Sequence, residues 1–394
     1  MTFTPMQPWE RIRGEKSDLL SNKKIALCIT GSIAAVETVK LARELIRHGA
    51  DVYPYMTRNA LKFVGEDALL FSTGHHPITE LSGLDEHLYN FDAILVAPAT
   101  ADIISKTSCG ISDDAVSTLL LANLKGNTIF VPSMSQSMYE NPILQANMER
   151  LRKYVTFIEP KFEEDKAKMP DVDRIVAEVI HSLHNELRGK RIMVIGGAGY
   201  EKFDNFRIIT NLATGRMGIE IARYAYYYGA DVTLLLGLHS AQVPSYLKFR
   251  RFGTVSDLMN RIEEMMNYDA IVVPAALPDF KPERREGKIK SLEEFSRVYF
   301  EENPKFLREL RKRFEGFLVG FKAESGISRE ELIKRARRRM KEYSLDMIIA
   351  NLLEDVKEDR TKAIVIFSDE EMEEFEGPKE RLANRIVELM AESI

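Results

Sequence analysis

Two glycine-broken strand exits, one in each half of the chain, constrain this fold more than any other feature. The first is Ile25-Ala-Leu-Cys-Ile-Thr-Gly-Ser-Ile-Ala-Ala35. The second is Ile192-Met-Val-Ile-Gly-Gly-Ala-Gly199, followed by Arg207-Ile-Ile-Thr-Asn-Leu-Ala-Thr-Gly-Arg-Met-Gly218. In each, an apolar β-branched run stops at glycine and gives way to a helical pattern. An α/β sheet uses this arrangement to offer free backbone N–H groups to a phosphate at a helix start. The two spacings differ, which predicts two phosphorylated ligands and two chemistries on one chain.

The 394 residues exceed what one core usually organises and suit two domains of roughly 190 residues each. The boundary is placed between residues 1–188 and 189–394. Strands are expected at 24–30, 51–56, 92–97 and 128–131, with a helix over 32–48. The charged stretch 161–168 predicts a mobile flap, 172–186 a helix, and 187–190 the join. Further strands are expected at 231–236, 269–274, 316–321, 346–350 and 363–367, with a final amphipathic helix at 379–390. Strands alternating with helices predict two doubly wound, mostly parallel α/β domains with ligands at the carboxyl ends of the strands. The halves share no motif, which points to fusion rather than duplication.

Composition narrows the partners. Fifty-five basic against 60 acidic side chains leave a formal charge of −5, and no basic arm offers a nucleic-acid footprint. The two cysteines, Cys28 and Cys109, lack metal-ligand neighbours at the usual spacing, as expected of a reducing cytosol. Glu10, Arg11, Arg13, Glu15, Lys16 and Asp18 leave no apolar signal core near the start. No apolar run approaches the ~20 residues of a membrane span. A cytoplasmic protein without membrane or nucleic-acid partners is expected.

Thr30-Gly-Ser-Ile-Ala-Ala35 lacks the three-glycine dinucleotide fingerprint. Its single glycine, serine hydroxyl and small alanines favour a mononucleotide, although the same six residues equally suit a turn that binds nothing. Four more loops follow in order: Met56-Thr-Arg-Asn-Ala60, Ala97-Pro-Ala-Thr-Ala-Asp102, Gly110-Ile-Ser-Asp-Asp114 and Pro132-Ser-Met-Ser-Gln-Ser-Met138. With these motifs the span 25–139 resembles the homo-oligomeric flavin-containing cysteine decarboxylases. The resemblance implies a flavodoxin-like flavoprotein domain that binds FMN. It places Gly31, Ser32, Ile33 and Thr57 on the phosphate side, Pro98, Ala99, Thr100 and Ala101 near the flavin, and Asp114 and Met134 at the substrate. It also implies a catalytic histidine. His87 in Asp85-Glu-His-Leu-Tyr-Asn90 is the candidate, with His75 and His76 as rivals. Three departures stand out: Ser135 replaces the asparagine that holds the substrate carboxylate in the family, aspartate (Asp113 or Asp114) stands where many relatives have asparagine, and the flap lacks the proton-donating cysteine, leaving Lys166 or Lys168 as a substitute. The chemistry explains the flavin. A cysteinyl carboxylate has no adjacent electron sink, and oxidation at the thiol provides one, with imidazole taking the thiol proton.

In the second half, the loop from Gly196 to Arg207 joins flexible backbone to two carboxylates, Glu201 and Asp204, and one arginine. Asn211 and its successors open a helix whose first N–H groups are unpaired. Pro274-Ala-Ala-Leu-Pro-Asp-Phe280 follows a strand, with Asp279 placed to meet a ribose or a metal ion. Gly287-Lys-Ile-Lys290 offers a two-lysine clamp, Asn303-Pro304 precedes a helix, and a basic helix runs from Lys334 to Lys341. This half resembles phosphopantothenate–cysteine ligase. Behind a flavin decarboxylase, nearly the whole chain resembles the bifunctional coenzyme A biosynthesis family. The resemblance implies a Rossmann-like ligase domain acting on CTP, 4′-phosphopantothenate and cysteine with Mg2+. Val273, Pro274, Ala275, Asp279, Lys288, Pro304, Lys305, Phe306, Leu307, Phe321 and Lys341, or another base between 337 and 341, would hold the nucleotide. Arg207, Asn211 and Lys288 would serve the acyl-nucleotide, which is needed because a carboxylate's charge deactivates it towards an amine. Leu352 stands where relatives have aspartate. No metal ligand is assigned. The resemblance further implies a homo-oligomer, with a trimeric or dodecameric decarboxylase core and dimeric ligase contacts. Two alternatives are a nicotinamide-dependent oxidoreductase, weakened by the missing Gly-x-Gly-x-x-Gly, and a non-catalytic flavoprotein regulatory subunit, weakened by the lysine clamp and the Arg207–Asn211 loop.

Overall fold

Each glycine-broken run is a central strand of its own sheet in the computed structural model, which describes residues 7–124, 127–283, 287–289, 291, 295–296, 298–368 and 371–394. The chain divides into two units, one ending at Leu183 and the other beginning at His184.

The first unit contains β1 (Lys24–Ile29), β2 (Asp51–Met56), β3 (Ala93–Ala99), β4 (Thr128–Pro132), β5 (Met134–Ser135) and β6 (Thr156–Phe157). From Ile25 to Ile29, β1 is fully buried, as a strand covered on both faces must be. Five of these strands form a parallel sheet in the order β2-β1-β3-β4-β6. This is the flavodoxin order, whose topological switch point lies between β1 and β3. The single helix expected over 32–48 is instead a 3-10 turn, Ile33–Glu37, followed by an α-helix, Thr38–Arg47. Ser32 Oγ accepts from Ala34 N, and Thr38 Oγ1 donates to Ala35 O at 2.6 Å, which tightens that first turn.

The segment expected to be a mobile flap takes the form of a hairpin, β7 (Lys161–Glu163) and β8 (Lys166–Lys168). Its two-residue turn has Glu164 and Asp165 at φ 52° and 55°, the geometry that matches strand twist. The free edge of β8 pairs with β5, setting Met134 opposite Ala167 and Ser135 opposite Lys166.

The second unit contains β9 (Arg191–Gly196), the hairpin of β10 (Tyr200–Lys202) and β11 (Ile208–Thr210), β12 (Asp231–Leu236), β13 (Phe249–Arg251) and β14 (Ala270–Val273). The pair β15 (Phe280–Pro282) and β16 (Phe300–Glu302) follows, then β17 (Phe317–Glu324), β18 (Met347–Leu352), β19 (Arg360–Ile366) and β20 (Met372–Pro378). The large sheet runs β13-β12-β9-β14-β17-β18-β19-β20. Its first six strands are parallel in the Rossmann order 3-2-1-4-5-6, with the switch point between β9 and β14. β19 and β20 extend it antiparallel. The core includes Leu235, Ile271, Leu318 and Ile348. Among the described residues, no helix is long and apolar enough to cross a membrane.

Candidate active sites

At the first switch point the loops leaving β1, β2, β3 and β4 surround a cavity of about 890 Å³. Gly31 lies so close to the β2 exit that a Cβ would sit 2.6 Å from Asn59 Cβ. Thr30 Oγ1 donates to Pro98 O at 2.7 Å and lies 3.2 Å from Thr100 Oγ1, tying the β1 and β3 exits together. Thr57 is 8% exposed, and its Oγ1 has no hydrogen-bond partner among the described residues. A buried hydroxyl left unsatisfied beside a glycine-cleared backbone and a serine is a donor set suited to phosphate oxygens. Asp114 caps the helix Ala115–Asn123 by accepting from Ser117 N at 2.8 Å. Lys106 bridges Asp113 at 3.1 Å and Asp102 at 3.2 Å, and its ammonium holds the Asp113 carboxyl below the ordinary value.

Of the residues assigned here from sequence, Gly31, Ser32, Thr57, Thr100, Ala101, Asp114 and Met134 line this cavity. Ile33 does not; it is 69% exposed on the turn that Ser32 caps. Pro98 and Ala99 are buried within β3 and reach the cavity only through their neighbours. None of the three candidate histidines lines it. His87 sits on a 3-10 turn pinned from beneath, where Tyr55 Oη donates to Glu86 O and Asn123 Nδ2 to His87 O, each at 2.7 Å. His75 is held by Asp51 at 2.9 Å and stacks on Tyr53, and His76 is exposed. Ser135 faces away from Met134 because successive strand residues alternate sides, so it shares a face with Lys166. Lys168 is tied to Glu164 at 2.7 Å and Glu163 at 3.4 Å. Cys28 is buried in β1, where burial pushes its thiol well up, and Cys109 is exposed.

At the second switch point lies a cavity of about 1090 Å³. Here the helix Arg216–Tyr227 rests its backbone on the β9 exit: a Cβ on Gly218 would lie 2.9 Å from Gly196 Cα. The lining takes in Asn211, Val273, Pro274, Ala275 and Asp279, then Pro304, Lys305, Phe306, Leu307 and Phe321. Asp279 and Lys305 form an ion pair at 2.6 Å.

Arg207 lies outside this lining because it is engaged elsewhere. Asp204, 1% exposed, accepts from the backbone N–H of Phe206 and Arg207 at 2.8 Å and of Ile289 at 3.1 Å. It also receives Arg207 Nη2 at 2.8 Å. Burial alone would push this carboxyl up, but these donors bring it down to about 2. Arg207 donates as well to Ile289 O, so the pair brackets Ile289, the neighbour of Lys288, whose Nζ lies 5.8 Å over the Phe206 ring. Neither Arg207 nor Lys288 lines the cavity. Lys290, the second lysine of the expected clamp, lies outside the described residues. On the helix Arg329–Tyr343 the base that lines the cavity is Arg339, one turn before the lining Tyr343, whereas Lys341 is exposed and does not line it. Leu352 does not line the cavity, though Asn351 and Leu353 do. Lys379 and Thr361 were not singled out from the sequence and line it too. A lysine at the first position of a helix, where acids are favoured, was the one available signal. Among the described residues no group of three His, Cys, Asp or Glu side chains could hold a metal ion.

Residues 13–184 match the Flavoprotein family model, and residues 187–394 match that of the DNA/pantothenate metabolism flavoprotein C-terminal domain. The coenzyme A biosynthesis bifunctional protein CoaBC of Thermococcus kodakarensis is 41% identical, with 91% of this chain and 92% of that one covered. Its namesake from Methanocaldococcus jannaschii is 39% identical, with 97% of each covered. A crystal structure of the C-terminal domain of a CoaBC protein covers 53% of this chain and 97% of its own, at 25% identity and a TM-score of 0.45. Neither the nicotinamide-dependent reading nor the regulatory one finds support in these matches. The chain belongs to the family of bifunctional coenzyme A biosynthesis proteins, a flavoprotein half joined to a DNA/pantothenate metabolism flavoprotein C-terminal half.

Proposed function

We propose that residues 189–394 condense 4′-phosphopantothenate with cysteine using CTP, and that residues 1–188 decarboxylate the product to 4′-phosphopantetheine using FMN. The observation that carries this reading is a cavity at each switch point within a chain whose bifunctional relatives align along nearly its whole length. The orphaned Thr57 hydroxyl, the close approach at Gly31 and the Ser32 side chain support a phosphate cradle for FMN. When bound, FMN supplies a two-electron acceptor that creates an electron sink beside the departing carboxylate. Asp114 and Met134 border the substrate, and His87 is the base for the thiol proton. Because His87 stays outside its own cavity while Leu84 (73%), Leu88 (58%) and Tyr89 (46%) around it are exposed, the reading includes a homo-oligomer that covers this turn.

In the ligase half, a carboxylate oxygen of 4′-phosphopantothenate bonds to the α-phosphorus of CTP and pyrophosphate leaves. The cysteine nitrogen then bonds to the acyl carbon and CMP leaves. Phe306 and Phe321 flank the nucleotide, Lys288 and Arg339 offset triphosphate charge, and Asp279 meets the ribose or the Mg2+ that accompanies the triphosphate. Asn211 donates to the acyl-phosphate oxygens, while Arg207 acts through Ile289 to position Lys288. The test is a coupled assay with CTP or ATP that follows pyrophosphate and CO2 separately. CTP-dependent pyrophosphate release that requires 4′-phosphopantothenate, followed by flavin-dependent CO2 release, is expected. Release of CO2 from flavin-free protein, or pyrophosphate release with ATP alone, would overturn the reading.

A further inference from the structure

Two helices of the second unit begin at the same edge of its sheet, and both begin with a base. β9 runs to the switch point and delivers Arg216, the first residue of the helix Arg216–Tyr227. β18 lies parallel to β9, β19 runs back, and β20 returns to the same edge to deliver Lys379, the first residue of the C-terminal helix Lys379–Ser393. The two helices pack side by side with their positive ends together; their N-cap residues, Gly215 and Pro378, offer no side-chain cap, and Thr214 Oγ1 accepts from Arg216 N only at 3.4 Å. A helix dipole disfavours a cation in its first turn; at Arg216 the Glu380 carboxylate offsets that cost, and at Lys379 no ion pair among the described residues does so.

Lys379 carries the larger part of that cost. It is 8% exposed, its Nζ donates to Glu358 O at 3.1 Å, and among the described residues it forms no ion pair. Arg216 has a counter-ion in Glu380 at 2.7 Å. Burial and the neighbouring Arg216 push the Lys379 ammonium down, against the opposing pull of Asp359 and Glu358. Both bases line the cavity, together with Thr361 and the backbone of Met217 and Gly218 at the helix start.

We propose that this corner is a phosphate-binding subsite in which Lys379, Arg216 and two helix N-termini receive a phosphate group. The proposal rests on the ligase reading, which offers two sources: the phosphomonoester of the acyl substrate and the triphosphate of the nucleotide. The motif around Gly218 points to this helix start, and Lys379 and Thr361 are added to it by the fold.

The test uses the full-length protein with Lys379→Met, Lys379→Arg and, as a second charge removal, Arg216→Met. Without ligand, K379M is expected to melt at or above wild type, because a buried charge with no ion-pair partner among the described residues has been removed. Saturating inorganic phosphate should raise the melting temperature of wild type and K379R but leave K379M unmoved. In pyrophosphate release, K379M should raise one KM by about tenfold or more, the loss expected for one charge-assisted contact. A rise for 4′-phosphopantothenate, with unphosphorylated pantothenate unaffected, identifies the acyl substrate as the source. A rise for CTP identifies the nucleotide. If K379M and R216M both keep the phosphate-induced shift and both KM values, the subsite does not exist. If wild type releases no pyrophosphate, the ligase reading fails, and the melting comparison still decides whether phosphate binds through Lys379.

Discussion

Replacing Gly218 with alanine tests whether backbone contact at the second switch point sets the ligase geometry. The added methyl would lie 2.9 Å from Gly196 Cα and 3.5 Å from Pro274 Cγ. Ordinary carbon contacts fall at roughly 3.5–4.0 Å, so the helix start must retreat from β9 by about 0.6–1.1 Å. Two free-energy terms then compete. Alanine favours a helix over glycine by about 1 kcal/mol, whereas overpacking costs about 1–3 kcal/mol. The net destabilisation is about 0–2 kcal/mol, which lowers melting by at most about 8 °C in a unit of this size. Catalysis is far less tolerant, since a misplacement of about 1 Å costs about 10²-fold, and Arg216 and Met217 move with the helix start. G218A should therefore remain folded, lose about 10²-fold in kcat/KM for pyrophosphate release, and decarboxylate supplied 4′-phosphopantothenoylcysteine at the wild-type rate. A ligase rate within about threefold of wild type would refute the geometric argument. Loss of decarboxylation in a soluble, flavin-replete protein would refute the assignment of this helix to the ligase alone.

Three further outcomes are expected. Thr57→Val removes a hydroxyl that no group among the described residues uses, so ligand-free stability should hold. A hydrogen bond to a charged oxygen contributes about 1.5–3 kcal/mol, so the Kd for FMN should rise by about 10–150-fold in a fluorescence titration; an unchanged Kd removes Thr57 from the cradle. Asn211→Asp should let acyl-nucleotide accumulate, visible by mass spectrometry after acid quench, and normal condensation with cysteine would exclude its role. Asp204 titrates at about 2 in the folded chain against an ordinary 3.8. Its contribution to stability is therefore complete above the unfolded value and is lost as pH falls through the folded one. Acid unfolding of wild type, followed by near-ultraviolet circular dichroism, should steepen between these two values. Asp204→Asn should lack that component, and an identical acid profile in both proteins would contradict the hydrogen-bonding account.

The strand exits were readable because one short segment carries both halves of the signal, an apolar run that buries and a glycine that permits close approach. The strands of the hairpin at 161–168 were not legible because its charges hide a two-residue alternation, in which Phe162 and Ala167 share one face. β20 escaped notice for a related reason. Met372–Pro378 alternates glutamates with partly buried residues, as an edge strand at the border of a sheet does. His87 shows a different limit. Its turn is held by Tyr55, 31 residues from Glu86 in sequence, and by Asn123, 36 residues from His87 itself. No local pattern reports such partners. The basic helix illustrates a third limit: several bases lie within one turn, and only the packing of Tyr343 selects Arg339 as the one that faces the cavity.

What separates scaffold from site in both units is whether folding alone satisfies a polar group. Arg207, in a glycine-rich loop, has the look of a ligand-binding residue, yet Asp204 and Ile289 O engage its Nε and Nη2. Lys106, His75 and Lys168 are likewise spoken for by carboxylates. Among the described residues Thr57 Oγ1 lacks a partner, and Lys379 is a buried cation with only a carbonyl to receive its proton. A fold gains nothing from an unsatisfied donor or an uncompensated charge, each of which costs free energy until something binds. Under the proposed function, Thr57 and Lys379 are two places where a ligand's phosphate would complete the structure. A sequence lists both kinds of residue in the same letters, because satisfaction is a property of partners that only the folded chain brings together.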